Sequence, residues 1–249
     1  MVGRIKPPPS LRAFLCGITE TGKSYRAWHL YLVKYPRKIL IDPMGEWGEQ
    51  ADATVYSLEE LRHTVRAFYR KGVWSIAYEM DPSEMPDLVE WLIPIPDIEA
   101  SPVYRSGGAA LLVDECDLFA PQGSSREEIR TLYRRSRHAG LSVISTTQRP
   151  ENVSREVTAM CEHAVALHLS EPRALDYVAR VMRLDRVMLA RWQHWTRQHP
   201  HGGLWKNIRT GETLWLPETG PPQRAGPPGL QRDAFSDPGD AGPSRQGEA

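Results

Sequence analysis

Residues 17–24 read GITETGKS, directly after the apolar run LRAFLC at 11–16 and before YRAWHLYLVKY at 25–35. Two glycines five residues apart, followed by lysine and serine, satisfy the spacing of a phosphate-binding loop, G-x-x-x-x-G-K-[ST]. Glycine permits the tight turn in which successive backbone N–H groups face inward and cradle phosphate oxygens. A helix beginning at the end of that turn adds its positive terminus to the same anion. Lys23 can then reach the β- and γ-phosphates while the Ser24 hydroxyl ligates Mg²⁺. The expected nucleotide contacts are Gly17, Ile18, Thr19, Glu20, Thr21, Gly22, Lys23 and Ser24, with Tyr25 just inside the helix.

A second stretch, AALLVDECD at 109–117, completes the pattern. Five apolar residues followed by two acids predict a buried strand that delivers carboxylates at its carboxyl end, where ligands sit in open α/β sheets. Asp114 is the candidate Mg²⁺ ligand with Ser24, and Glu115 the candidate base for the attacking water. An acid beside the metal-binding Asp favours hydrolysis over transfer to a small acceptor. The run LSVISTT ends in Gln148-Arg149-Pro150, and the Gln148 amide can both donate to a γ-phosphate and accept from water.

Between these motifs strand-like and helix-like segments alternate from residue 11 to about 198, so the chain reads as βαβ units with a mainly parallel sheet and helices on both faces. GLWKNIRTGETLWL then predicts a hairpin turning at Thr210–Gly211. The boundaries expected are an extended N-terminal segment over 1–10, an ATPase domain over 11–216, and a tail over 217–249. The tail has 13 Pro or Gly among 33 residues and one aromatic, Phe235. Such a segment buries too little apolar area to offset its ordering entropy and is expected to be disordered.

Bulk properties are those of a soluble globular chain: 249 residues, 41% hydrophobic, 25% charged, with 31 basic and 31 acidic residues. That balance gives no argument for nucleic acid or membrane. Cys16, Cys116 and Cys161 form no C-x-x-C pair and read as buried thiols in a cytosolic protein. No apolar run approaches the ~20 residues of a membrane span. His194, His199 and His201 fit no zinc spacing.

Taken in order, GITETGKS, ILIDPMGEWG, LLVDE and RRSRHAGLSVISTTQRPENV resemble the FtsK–HerA superfamily of DNA-pumping ATPases over residues 11–216. The resemblance implies a RecA-like (ASCE) P-loop NTPase core that hydrolyses ATP with Mg²⁺. It also implies an oligomeric ring, usually a hexamer, that translocates double-stranded DNA. Asp42 and Glu46 would border the nucleotide, with Glu46 a second carboxylate near the water, and Gln148 would sense the γ-phosphate. An arginine given across the subunit interface would come from Arg134, Arg135, Arg137 or Arg149, with Arg137 and Arg149 ranked first. A motor without the family's barrel, winged helix or membrane helices is similar to the genome-packaging ATPases of tailless, membrane-containing viruses. The implied setting is the host cytoplasm or the virion, beside a capsid or membrane-vertex protein. An ATPase acting on protein in phage morphogenesis or secretion, and a nucleotide-gated scaffold, are the alternatives.

Arg126, Arg130, Arg134 and Arg137 recur at helical spacing, four guanidiniums on one face. The first three are candidate DNA contacts; the same stripe could instead pair with Glu127 or Glu128, or serve a subunit interface. Trp192 and Trp195 read as anchors of the last helix on the core.

Overall fold

The computed structural model describes residues 9–124 and 126–218. Among them nine strands form one sheet: β1 (Arg12–Cys16), β2 (Arg37–Ile41), β3 (Ala53–Val55), β4 (Trp74–Tyr78), β5 (Ala109–Val113), β6 (Leu141–Thr147), β7 (His163–Ala166), β8 (Gly203–Asn207) and β9 (Thr213–Leu216). Their order is β3-β4-β2-β5-β6-β1-β7-β8-β9. The first seven run parallel, and the hairpin β8–β9 adds antiparallel to β7.

The helices are α1 (Lys23–Leu30), α2 (Leu58–Phe68), α3 (Met85–Leu92), α4 (Pro102–Ser106), α5 (Cys116–Phe119), α6 (Glu127–Arg135), α7 (Arg155–Ala159), α8 (Pro172–Met182) and α9 (Arg186–Gln198). Alternation along the buried strands divides the core between two faces, as a strand's period of two requires. Phe14, Ile39, Leu111 and Val143 face one side with Leu61 of α2, Leu88 of α3, Leu132 of α6 and Trp192 of α9. Leu15, Leu40, Leu112 and Ile144 face the other, under Ala27 of α1, Tyr31, Trp47 and Leu216. The sheet is thus covered on both faces, as expected. Cys16, Cys116 and Cys161 are free and buried.

Local rules explain the helix ends. Ser57 caps α2 by accepting from the Glu60 amide at 3.2 Å, and Glu60 Oε2 reaches back to the Tyr56 amide at 2.8 Å, one residue earlier than in the usual capping box. The expected helix over 25–35 stops at Leu30, and residues Leu32–Lys34 form a 3₁₀ turn ahead of Pro36. The arginine-rich helix also tightens into a 3₁₀ turn over Ser136–Ala139 before Gly140, whose φ of 70° ends it.

That tightening corrects one reading. Arg137 leaves the stripe and pairs with Glu162, which also holds Arg12 at 2.9 Å. Arg126 lies at the N-cap of α6, outside the helix proper. Arg130 meets Glu127 at 2.6 Å and Arg134 meets Glu156 at 3.1 Å. Three of the four arginines are thus paired within their own chain.

The tail boundary shifts too. The Pro217 carbonyl accepts from Arg26, and Glu218 lies 3.7 Å from His199, so both residues belong to the folded domain. The rest of the tail, and residues 1–8 of the N-terminal segment, lie outside the described residues. No described helix is long and apolar enough to cross a membrane. Trp192 is fully buried, so Trp192→Ala is expected to cost about 3–5 kcal/mol, read as a shifted midpoint in urea unfolding.

Candidate active site

The phosphate loop joins β1 to α1, and space and backbone geometry dictate its two glycines. A Cβ at Gly17 would lie 2.6 Å from Thr21 Oγ1 and 2.8 Å from Leu167 Cβ. Gly22 sits at φ 86°, where a side chain is strained. The loop is held by Ile18 N donating to His168 O at 3.0 Å and Thr21 Oγ1 donating to Ile18 O at 2.7 Å. Lys23 Nζ donates to the same carbonyl at 3.3 Å, so its ammonium lies against the loop rather than in solvent. Helix α1 begins without a side-chain cap and without an acid in its first turn. Helices α2, α4, α7 and α9 all have Ser or Asp caps. Helices α3, α5, α6 and α8 also start without one, so it is the phosphate loop ahead of α1, rather than the missing cap, that marks its first amides for an anion.

Strand β6 lies between β1 and β5, with Leu15 opposite Thr146 and Val113 opposite Ser145. This register brings the ends of all three strands to one edge. Asp114 is buried, and both its oxygens are oriented: Oδ2 accepts from Trp47 Nε1 at 2.9 Å and Oδ1 from the Thr146 hydroxyl. Glu115 adopts the left-handed conformation, φ 44°, and its carboxylate accepts from Gln148 Nε2 at 2.8 Å and Gln148 N at 3.2 Å. Gln148 Oε1 in turn accepts from Thr19 Oγ1 at 2.7 Å. One amide thus links the phosphate loop to the acid proposed to act on water. Burial pushes Glu115 above the usual carboxylate range and the Asp114 charge adds to it, partly offset by the Gln148 hydrogen bonds.

Asp42 is fully buried and accepts from Glu46 N at 2.9 Å and Trp47 N at 2.7 Å. It organises the turn after β2 rather than presenting a free carboxylate. Exposed Glu46 lines a cavity of about 390 Å³ with Ser24, Tyr25, Trp28 and Trp47. A second cavity, about 590 Å³, lies on the other side of the loop and is lined by Ile18, Gln148, Arg149, Glu151 and Arg173. Arg149 therefore sits at its own chain's site. Arg137 precedes β6 at the opposite edge and can meet a nucleotide only from a neighbouring chain.

Three contributors escaped the sequence reading. Trp47, immediately after the D-P-x-G-E segment, and Thr146, two residues before Gln148, orient Asp114. Arg26 donates to His201 O at 3.1 Å, which sets the His199–Gly202 loop beside Gly22. An aromatic and a hydroxyl one strand away carry no spacing signal, and Arg26 looks like any helical surface cation.

Together these features define a P-loop NTPase core with an extra strand between the loop strand and the acid-bearing strand. A profile of the family described as Zonular occludens toxin (Zot) matches residues 89–171, a third of the chain, spanning the acid pair and β6 but not the phosphate loop. None of the curated proteins matches the sequence. Among solved structures the chain is similar to the genome packaging NTPase B204 from Sulfolobus turreted icosahedral virus 2 in complex with ATP-gammaS. The TM-score is 0.64 at 17% identity, covering 85% of this chain and 100% of that one. The DNA-packaging ATPase B204 from Sulfolobus Turreted Icosahedral Virus gives 0.60 at 14% identity, covering 85% and 98%. At these identities the likeness establishes the fold. This chain has the RecA-like P-loop architecture of those NTPases, the fold that the resemblance to the FtsK–HerA superfamily implies.

The raised Glu115 also sets a pH dependence. An acid whose folded pKa exceeds its unfolded one binds more protons when folded, so stability falls as pH rises through that window. Glu115→Gln mimics the protonated acid. Thermal melts from pH 4 to 7 are expected to show similar stability at the acid end and a growing advantage for the variant toward neutrality.

Proposed function

We propose that the chain is a Mg²⁺-dependent ATPase that moves double-stranded DNA as a ring of identical chains, in the packaging of a viral genome. The observation that carries the reading is Gln148 bridging Thr19 of the phosphate loop and Glu115 beside Asp114. A residue so placed contacts the groups that bind the triphosphate and the group that acts on water. The similarity in fold to two packaging enzymes supports the DNA-moving role.

Lys23 and the first amides of α1 would bind the β- and γ-phosphates. Ser24 and Asp114 fit an Mg²⁺ ion: a hydroxyl at the start of α1, and a buried carboxylate whose two oxygens are already oriented. When bound, Mg²⁺ would neutralise charge developing between the β- and γ-phosphates. Glu115 orients the attacking water and takes its proton, and its raised pKa makes it the stronger base. Gln148 would exchange its Thr19 contact for a γ-phosphate oxygen, and Glu46 would bound the metal side of the site. Arg149 would act from within the chain and Arg137 from a neighbour.

Two measurements test this reading. ATP turnover is expected to rise with duplex DNA and to fall at least ~100-fold in Lys23→Ala and Glu115→Gln, the latter still binding nucleotide. Turnover indifferent to duplex contradicts the motor and leaves a gated NTPase. Trp47→Phe removes the indole N–H from Asp114 and is expected to raise the Mg²⁺ needed for half-maximal turnover by roughly 10–100-fold, at unchanged ATP saturation in excess metal.

A further inference from the structure

The chain is neutral as a whole, yet its charges divide between the two edges of the sheet. At the carboxyl edge acids follow three of the strands, beside the site's own Lys23, Arg149 and Arg173: Asp42 and Glu46 after β2, Glu79 and Asp81 after β4, Asp114 and Glu115 after β5. At the amino edge cations lead into the strands. Arg70 and Lys71 precede β4, Arg37 opens β2, and Arg105 precedes β5. Arg135 ends α6 ahead of β6, and Arg12 opens β1. Lys206 and Arg209 lie at the far end of β8, and Lys206 Nζ donates to Arg183 O at 3.2 Å, which brings Arg183 to the same edge.

Acids here are outnumbered, and several are engaged. Asp52 is held by Ser75, Glu162 lies between Arg12 and Arg137, and Asp185 caps α9. Asp97, Glu99 and Glu212 also lie here. Arg70, Lys71, Arg105, Arg135, Arg183 and Arg209 are exposed and form no ion pair with described residues. Arg37 is nine-tenths buried, and its Nε and Nη1 find no partner among the described residues. A buried, under-bonded guanidinium is costly without an anion. Burial lowers the pKa of Arg137, and Arg12 and Arg209 lie close enough to lower it further.

We propose that this amino edge is the surface that contacts the phosphate backbone of duplex DNA. The assignment rests on the motor reading and gives its polynucleotide a place. From β4 to β8 the strand order spans six steps, about 29 Å at ~4.8 Å each, close to the ~34 Å of one duplex turn. A line of cations of that length matches a rod carrying a charge every ~1.7 Å. A folded acidic protein would need an apolar centre to its interface. Of the exposed apolar groups near this edge, Val33, Tyr69, Val73 and Tyr104 gather at the β4–β2–β5 end, and Val187 stands alone beside Arg183 and Asp185 at the β8 end, so no apolar centre forms. The α6 cations are poorer candidates, because Glu127 and Glu156 already hold Arg130 and Arg134. The amino edge lies a strand length, about 16 Å, from its own chain's nucleotide edge, so its exposed cations distant from Arg137 can be altered without touching the chemistry.

The test is fluorescence anisotropy with a 30-base-pair duplex across a salt series. It compares wild type, the triple variant Arg70→Glu, Arg105→Glu and Arg183→Glu, the same triple to Gln, and Arg130→Glu with Arg134→Glu. Both triples are expected to lose at least ~10-fold in affinity and to flatten the log K against log salt slope by roughly three per chain bound, with DNA-independent turnover unchanged. The α6 pair is expected to stay near wild type. If both triples bind and respond to duplex as wild type does, the assignment fails and the motor reading stands. A wild type that hydrolyses ATP yet ignores duplex overturns both. Polyglutamate of matched charge binding as tightly as duplex would make the edge an acidic-protein surface and also overturn the assignment.

Discussion

Strand β6 separates the strand that carries the phosphate loop from the strand that carries Asp114 and Glu115, and two parallel ladders hold it there. Each ladder sets adjacent strands ~4.8 Å apart, so the loop and the acids stand about 10 Å from one another. That gap suits a triphosphate chain with a metal ion, and it is too wide for Lys23 and Glu115 to neutralise each other by contact. Gln148, at the tip of the separating strand, is the side chain that spans it. Every role proposed for the site depends on this spacing.

The surroundings of Asp114 show how the fold turns a strand end into a binding group. A buried carboxylate left alone would take up a proton or be lost from the core. Here Trp47 and Thr146 each donate to one oxygen, and Asp42 fixes Trp47 through its backbone amide. The two acids that border the site therefore divide the work: Asp42 shapes a turn, and the turn aims an indole at Asp114. Glu115 is treated differently. It is only half-buried, its backbone is strained into the left-handed region, and its donors come from a residue that also touches the phosphate loop. An acid held by a residue that also touches the phosphate loop is placed to respond to what that loop binds.

Much of this was legible in the sequence because it depends on local spacing. The strand–loop–helix around GITETGKS, the acid pair closing β5 and the glutamine closing β6 are each set by residues adjacent along the chain. The parallel sheet and the hairpin followed from alternation and turn chemistry. What sequence could not supply were contacts set by strand order. Trp47 reaches Asp114 across 67 residues and Arg26 reaches the His201 carbonyl across 175. The end of the arginine stripe was hidden for a related reason. Its spacing assumed a helix running on through Arg137, whereas the last turn tightens and sends Arg137 to Glu162, and Glu156 approaches from α7. The asymmetry of charge between the sheet edges is likewise invisible in a chain with equal numbers of acids and bases, since only the topology sorts residues before a strand from residues after it.

In the proposed site, one edge of the sheet grips a triphosphate through Lys23 and the α1 amides while Gln148 and Glu115 attend its far end. The most direct measurement is a crystal structure of the chain with Mg²⁺ and a non-hydrolysable ATP analogue. The expected result is the γ-phosphate within hydrogen-bonding distance of both Lys23 Nζ and the Gln148 amide, with the Thr19–Gln148 contact broken. A nucleotide seated elsewhere, or a triphosphate on the loop with Gln148 still bound to Thr19 and turned from the phosphate, would contradict it.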